Sequence, residues 1–192
     1  MAIVLLLCNC VQRKAISTES PFTRADSLTE QYLELQDSIL HAWNIMINDD
    51  NHKIKMMHEL VNELGESNQY DRQTLVSLNL RLQELQDIRY DQKSIANTDI
   101  IADYDFLTNS LITELVSLAE SRSSFADNKE LQKMIAAVKE SDRRVEMHRN
   151  NYDNITNRYN KFIQGNKDQL RDIDTHLPAD ERPLFQMTSA EN

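Results

Sequence analysis

The clearest structural signal in this sequence comes from residues 127–164, which read DNKELQKMIAAVKESDRRVEMHRNNYDNITNRYNKFIQ. Apolar side chains recur there at steps of three, four and seven residues, so they share one face of a helix. This apolar stripe consists of Leu131, Met134, Val138, Val145, Tyr152, Ile155, Tyr159 and Phe162. Glycine readily adopts the backbone conformation that ends a helix. We therefore predict a long amphipathic helix over residues 127–164 that ends at Gly165.

A second long helical segment lies near the start of the chain. Its beginning is predicted at Ser27, because Ser27 and Glu30 match the pattern in which two side chains cap the free N–H groups of a first turn. Apolar residues then recur with helical spacing as far as Gly65, where we predict the end. The stretch NDDN at residues 48–51 consists of poor helix formers and leaves a break as an alternative. We predict one continuous helix with a polar interruption.

Two shorter segments separate the long ones. Residues 70–95 contain LVSLNLRLQEL, whose alternation would also suit a strand, but the helical spacing that follows it favours a helix. Residues 99–122 form the other segment, and Thr98 or Asp99 is expected to cap it. Four helices with one apolar stripe each can bury those stripes only against one another.

Glycine and proline are scarce, with 2 Gly and 3 Pro in 192 residues. Turns depend on these two residues, so a chain that lacks them is expected to form a few long elements. We predict an all-α fold, an elongated antiparallel bundle of about four long helices over residues 27–165. The periodicity fades over residues 166–192, which we predict to be a loop or disordered tail, with Leu184 and Phe185 docking on the bundle.

The net charge is strongly negative, at -10, so a phosphate backbone would be repelled unless a local basic patch overcame this charge. The densest basic run consists of Arg143, Arg144 and Arg149, and acidic residues are interleaved with it. We interpret this run as a solvated helix face. No nucleic-acid partner is expected.

The first ten residues resemble a targeting signal. Residues 1–10 read MAIVLLLCNC, an apolar run followed by the polar and basic VQRK. The run is much shorter than the roughly 20 apolar residues that span a bilayer. It resembles the end of a bacterial lipoprotein signal peptide, so we expect lipid attachment at Cys10 and a tether over residues 11–26. A short apolar N-terminus that packs against the bundle is the alternative.

Recognisable catalytic and metal-binding patterns are missing from the sequence. No Glu-x-x-His pair occurs, and no two of the five histidines lie three or four residues apart. The chain has only 2 glycines, which excludes a glycine-rich phosphate-binding loop. Both cysteines lie within the first ten residues, which excludes a cysteine nucleophile in the body of the chain. We expect no enzyme activity and assign no catalytic, metal or cofactor residue. Tyr152, Tyr159 and Phe162 are expected to pack in the core, with a ligand pocket as the alternative.

Several residues of the two long segments follow a family pattern. In the first segment these are Ala42 and Trp43, followed by Leu60 and Val61. In the last segment they are Arg144, Arg149, Tyr152, Asn154, Tyr159 and Asn160. Together with the closing RPLF at residues 182–185, this pattern resembles the LemA family of bacterial envelope proteins, over about residues 27–186. The family usually opens with a membrane-spanning segment, and the basic pair and Ile-Pro that commonly precede its Leu-Val are replaced here. The replacing residues are Lys53, Lys55, Met57 and His58, so this chain would be a divergent member.

The resemblance implies an antiparallel helical bundle exposed beyond a bacterial membrane, with no agreed enzymatic activity. Our leading hypothesis is a non-catalytic, membrane-tethered envelope protein that acts as a structural or interaction module with an unidentified protein partner. A helical sensor or carrier for a small molecule or metal is one alternative, and a polar cluster inside the bundle would favour it. A cytosolic coiled-coil adaptor is the other alternative, which cell fractionation would distinguish.

Overall fold

The computed structural model describes residues 23–185. The signal-like residues 1–10, the expected lipid site at Cys10 and most of the predicted tether lie outside the described residues, as do residues 186–192. The described part is all-helical and contains no strand, which confirms the predicted fold class. Its four α-helices are α1 (Arg24–Glu66), α2 (Arg72–Asp87), α3 (Thr98–Glu120) and α4 (Lys129–Ile173), with short 3₁₀ turns at Ser94–Ala96 and Ser123–Asp127.

Helix α1 begins one turn earlier than the sequence pattern predicted. Thr23 is the capping residue: its hydroxyl accepts from the Asp26 N–H at 3.2 Å, and the Asp26 carboxylate accepts from the Thr23 N–H at 2.8 Å. The prediction at Ser27 was wrong because aspartate at the third helical position makes the same reciprocal cap as glutamate. The helix is continuous through residues 48–51, as predicted.

Neither glycine ends a helix. Gly65 lies within the last turn of α1, and the left-handed backbone conformation follows at Asn68, whose φ is 52°. Gly165 lies inside α4, where no other heavy atom lies within 4 Å of the position a Cβ would take. The helix continues to Ile173 because the buried Leu170 extends its apolar stripe. The predicted ends at Gly65 and Gly165 were therefore wrong.

The shorter helices also differ at their ends from the predictions. Helix α2 stops at Asp87, and residues up to 95 form an irregular connection in which Asp91 accepts hydrogen bonds from two following backbone N–H groups. Aspartate competes with helix formation in this way. The cap of α3 is Asn97, whose side chain accepts from the Asp99 N–H at 3.0 Å, and not Thr98 or Asp99.

The two long helices run antiparallel and pack against each other along their lengths. Arg24 at the start of α1 reaches Gln169 near the end of α4, and Asp49 in the middle of α1 pairs with Arg144. Helices α2 and α3 pack beside the second half of α1, which creates a four-helix end. At the opposite, two-helix end, α1 and α4 are the only helices of residues 23–185 that pair. No helix within residues 23–185 is long and apolar enough to span a bilayer.

The C-terminal segment, residues 174–185, folds back along α4 at the two-helix end. The carboxamide of Asn160 donates to the carbonyl of Arg182 at 2.9 Å and accepts from its N–H at 2.8 Å. The Phe185 N–H donates to Asp153 at 2.9 Å. The predicted docking of Phe185 is confirmed, and Leu184 is partly buried. The prediction of a tail from residue 166 was wrong for the residues that extend α4.

Candidate functional site

A pair of opposite charges is buried in the middle of the bundle, one turn apart on α1. Asp50 is 1% exposed and Lys53 is 2% exposed. The Lys53 ammonium lies 3.0 Å from Asp50 Oδ1. The pair arises from the stretch NDDN, which places Asp50 at a position where the helical period demands an apolar core residue. Burying these charges is costly unless partners surround them.

The partners of this pair come from three other regions of the chain. The hydroxyl of Tyr104 on α3 donates to Asp50 Oδ2, and the guanidinium of Arg89 lies 3.2 Å from the same oxygen. Asp142 on α4 accepts from the Lys53 ammonium at 3.2 Å. We call these five residues, Asp50, Lys53, Arg89, Tyr104 and Asp142, the buried polar cluster. It connects α1, α3, α4 and the connection after α2.

Ionisation within the cluster follows from these contacts. Burial raises the pKa of Asp50, but the charge of Lys53 and the hydrogen bond from Tyr104 outweigh it and hold that pKa below its usual value. Burial and the neighbouring Asp50 charge raise the pKa of Tyr104. At neutral pH the cluster therefore contains an ionised aspartate and a neutral tyrosine that donates to it.

A second charged group surrounds Arg149 of α4, which is only 15% exposed at its side chain. Its guanidinium binds both carboxylate oxygens of Asp105 at 2.8 Å and donates to the Tyr90 hydroxyl at 2.9 Å. Burial lowers the pKa of Arg149, but the hydrogen bond that it donates to Asp105 outweighs this effect and raises the pKa above the usual value. Arg149 therefore remains fully charged although it is mostly shielded from water.

Aromatic rings meet beside Arg149, where the C-terminal segment ends. Phe185 stacks against Trp43 with ring centroids 6.1 Å apart and planes at 15°. Its ring also meets the rings of Tyr90 and Tyr152 edge-on, at 5.4 and 5.6 Å. The Arg149 guanidinium lies 5.1 Å from the centre of the Phe185 ring. The ring of Trp43 packs against the core but remains partly exposed.

A polar cleft of about 400 Å³ opens between α3 and α4 above the buried polar cluster. Its lining consists of Lys53, Ile101, Asp105, Thr108, Asn109, Asp142, Val145, Glu146, Arg149 and Phe185. Thr108 is 3% exposed, yet its hydroxyl has no hydrogen-bond partner within residues 23–185. The Arg149 Nε atom is also buried without a partner. Buried polar atoms are nearly always hydrogen-bonded in folded proteins, so these two atoms indicate that the cleft lacks hydrogen-bond partners for them.

The residues of the family pattern occupy different environments. Ala42, Tyr152, Tyr159 and Asn160 are buried, whereas Asn154 is exposed. The core packing of the two tyrosines is confirmed. Asn160 binds the backbone of the C-terminal segment, and the Tyr159 hydroxyl donates to the Pro178 carbonyl of the same segment at 3.1 Å. These residues therefore hold the two-helix end together rather than lining the cleft.

The basic run was interpreted as a solvated face, and the structure corrects this for two of its three residues. Arg143 is exposed and pairs with Glu140 on its own helix. Arg144 is partly buried, with its Nε 3.0 Å from Asp49, and Arg149 lies against Asp105. Interhelical carboxylates, which the local sequence does not reveal, explain the difference.

Sequence reasoning missed most of the residues of this site. The residues Lys53, Asp105, Thr108 and Asp142 carry no local signature, because each lies among other polar residues of an amphipathic helix. One signal did exist, namely the interruption of the apolar stripe at Asp50. Among the histidines, His148 lies 3.0 Å from Asp49. No group of three or more metal-ligating side chains occurs within the described part of the chain.

No family model, curated protein or solved structure matches this chain. The resemblance to the LemA family therefore stays a prediction from the residues that suggested it.

Proposed function

We propose that this chain is a non-catalytic helical module that binds a small polar ligand in the cleft between α3 and α4, as a sensor or carrier. The proposal rests mainly on the Thr108 hydroxyl, which is buried in the wall of the cleft without a partner among the described residues. A buried polar group left unpaired costs about 1–3 kcal/mol. A bound polar molecule that supplied the missing hydrogen bond would remove this cost.

The buried polar cluster beneath the cleft supports the same proposal. Replacing a buried ion pair by apolar residues of similar volume is often neutral or stabilising. A bundle selected only for stability would therefore not need Asp50 and Lys53 in its core. Lys53 also forms part of the floor of the cleft, which connects the cluster to the ligand site. A polar cluster inside the bundle favours a ligand-binding bundle over one that is only structural.

The experiment is thermal unfolding of the purified full chain, followed by circular dichroism, with small amines, carboxylates, amino acids and sugars added one at a time. Binding to the folded state raises the midpoint temperature. We expect at least one class to do so for the wild type and for Thr113→Val, whose side chain is exposed on α3. The same class should have a weaker effect on Thr108→Val. If no compound shifts the wild type, the proposal fails.

A second candidate function is the membrane-tethered interaction module, with an unidentified protein partner at the bacterial envelope. The outer face of α1 favours it. Leu33 and Leu40 lie seven residues apart on this face and are 51% and 53% exposed. Residues 25–52 contain no lysine or arginine. An apolar patch with a charged rim is typical of a protein interaction surface.

The tether itself can be tested in cells. Cys10 lies outside the described residues, so this part of the proposal rests on the sequence alone. We expect Cys10→Ala to abolish palmitate labelling and to release the protein from the membrane fraction, because each buried CH₂ of a lipid contributes about 0.8 kcal/mol of membrane affinity. Cys8→Ala is the matched control and should change neither. Unlabelled wild-type protein in the cytosolic fraction would favour the adaptor hypothesis instead.

A further inference from the structure

We infer that the ligand of the cleft is a small organic compound with a primary ammonium group. This inference rests on the proposed ligand-binding function and specifies its chemistry. The cleft contains two cations, Lys53 and Arg149. Lys53 is held between Asp50 and Asp142, and Arg149 binds both oxygens of Asp105. An anionic ligand could bind these cations only by breaking an ion pair or through the Arg149 Nε–H, which is buried without a partner among the described residues.

Apart from the Arg149 Nε–H and the carboxamide of Asn109, the groups that remain available are hydrogen-bond acceptors. Glu146 lines the cleft and makes no hydrogen bond or ion pair with any residue of the described chain. Asp142 uses only Oδ1 to bind Lys53, which leaves Oδ2 for another donor. Glu146 and Asp142 lie four residues apart on α4, so their side chains are neighbours on one helix face. Two carboxylates on one face attract a cation with several N–H donors.

The inner wall of the cleft supplies a third acceptor. The buried Thr108 hydroxyl has no partner among the described residues, and a hydroxyl oxygen can accept a hydrogen bond from a donor. An ammonium group has three N–H donors in a compact head, which suits two carboxylates and one hydroxyl. A metal ion fits less well, because the described residues hold no cluster of three metal-ligating side chains.

Charge balance within the cleft also favours a cation. The lining contains two cationic side chains, Lys53 and Arg149, and three carboxylates, Asp105, Asp142 and Glu146. A cationic ligand would neutralise the excess negative charge, whereas an anionic ligand would increase it. The net charge of -10 on the whole chain acts in the same direction at longer range.

The molecule contains its own reporter of binding. Trp43 is the only tryptophan, and its ring stacks on Phe185, which lines the cleft. A molecule that enters the cleft and shifts Phe185 should therefore change the tryptophan fluorescence. Chemical shifts of the backbone N–H groups around Thr108 provide an independent measurement that does not depend on this stacking.

The experiment titrates the full chain with butylamine, butyrate and 1-butanol at constant ionic strength and neutral pH. These probes share a chain length and differ in charge. We expect saturable changes in fluorescence and in the chemical shifts near Thr108 with butylamine only. Saturation with butyrate or 1-butanol but not with butylamine would overturn the ammonium inference and leave the ligand site standing. If none of the three saturates, and no other compound shifts the unfolding midpoint, both proposals fail.

Variants of the carboxylates test the assigned contact. Glu146→Gln keeps the shape of the side chain and removes its charge, so we expect the dissociation constant of butylamine to rise about tenfold, as loss of one charge-assisted contact does. Glu130→Gln, at an exposed position in the first turn of the same helix, is the matched control and should leave it unchanged. Equal affinities for wild type and Glu146→Gln would overturn the role of this carboxylate.

Discussion

The two ends of the bundle enclose their cores in different ways. At the four-helix end, α2 and α3 complete the enclosure of α1 and α4, and the interior contains charges: Asp50 and Lys53 are almost fully buried. At the two-helix end no other helix of residues 23–185 is present, and the C-terminal segment covers the core. There the buried polar groups include the hydroxyls of Tyr32 and Tyr159, which both donate to the carbonyl of Pro178.

The comparison teaches what each kind of interior requires. Two helices alone cannot surround a side chain, so the C-terminal segment acts as the third wall and supplies one carbonyl to both tyrosine hydroxyls. Burial, together with the proximity of Tyr159, raises the pKa of Tyr32 to about 12, so the hydroxyl remains a donor at all ordinary pH values. The four-helix end has enough enclosing helices to bury charges, but it must then pair each of them. It is therefore the more sensitive end to loss of a single partner.

The largest effect is expected from Asp50→Ala at the four-helix end. This substitution leaves the buried ammonium of Lys53 with only the partly exposed Asp142 as a partner. Breaking a buried pair in this way costs about 3–5 kcal/mol of stability. Urea unfolding followed by circular dichroism measures the change. Asp37→Ala, at an exposed position on the same helix, should cost less than about 0.5 kcal/mol, and equal losses in the two variants would contradict the comparison.

A smaller effect is expected from Phe185→Ala, which removes the last anchor of the C-terminal segment. Truncating a fully buried phenylalanine to alanine costs about 3–5 kcal/mol, and this ring is only partly buried, so we expect a loss of about 1–2 kcal/mol. The exchange rates of the backbone N–H groups should rise in the first half of α1 and hardly change in α2. The control is Phe106→Ala, whose ring is 78% exposed. Uniform quickening along the whole chain would show that the two ends unfold as one unit.

The tyrosines of the two-helix end should show a still smaller effect. Tyr32→Phe and Tyr159→Phe each remove one hydrogen bond to Pro178, which is worth about 0.5–1.5 kcal/mol. Either remaining hydroxyl still satisfies the carbonyl, whereas the double variant leaves that oxygen unpaired. We therefore expect the double variant to lose more stability than the sum of the single losses. Additive losses in this double-mutant cycle would argue against a shared acceptor.

The smallest effect concerns the dependence of stability on pH in the acid range. Burial raises the pKa of Asp49, but the hydrogen bond from Arg144 outweighs it and holds the pKa below the usual value. A lowered folded-state pKa contributes stability that is present above the unfolded value of about 3.9 and is lost as the pH falls through the folded value. Asp49→Asn should thus be less stable than the wild type at pH 7 by under about 1 kcal/mol, because the pair is partly exposed.

This difference between Asp49→Asn and the wild type should shrink as the pH is lowered below the usual pKa of aspartate. Parallel urea titrations of both proteins along a pH series measure it. A difference that stays constant over the whole series would mean that the contact between Asp49 and Arg144 stabilises the protein through packing and not through its charges.

The helical periodicity of the sequence predicted the four helices, because apolar stripes reflect core packing directly. Their ends were harder to predict. Gly65 and Gly165 were interpreted as helix ends, but neither has a positive φ. A Cβ on Gly65 would make only an ordinary contact with Leu75, and Gly165 has open space around it. In both cases the packing of the neighbouring helix residues outweighed the local preference of glycine.

The site was less predictable than the fold for a physical reason. Asp50 could be noticed in the sequence because it interrupts an apolar stripe. A charge at a core position needs partners that compensate its burial. Its partners could not be located, because Tyr104 lies 54 residues away in the chain and Asp142 lies 89 residues from Lys53. A single sequence contains no information about which polar side chains of two amphipathic helices will face each other.

The antiparallel pairing of α1 with α4 imposes a delay between the synthesis of α1 and its packing against α4. The first half of α1 leaves the ribosome well before its partner, the second half of α4, as the contact of Arg24 with Gln169 shows. Ribosomes add about 5–20 residues per second, so a delay on the order of ten seconds separates the two. Throughout this delay the apolar stripe through Tyr32 and Ile39 has no partner. A chain halted before α4 is therefore a substrate for chaperones and proteases, not a partly finished domain.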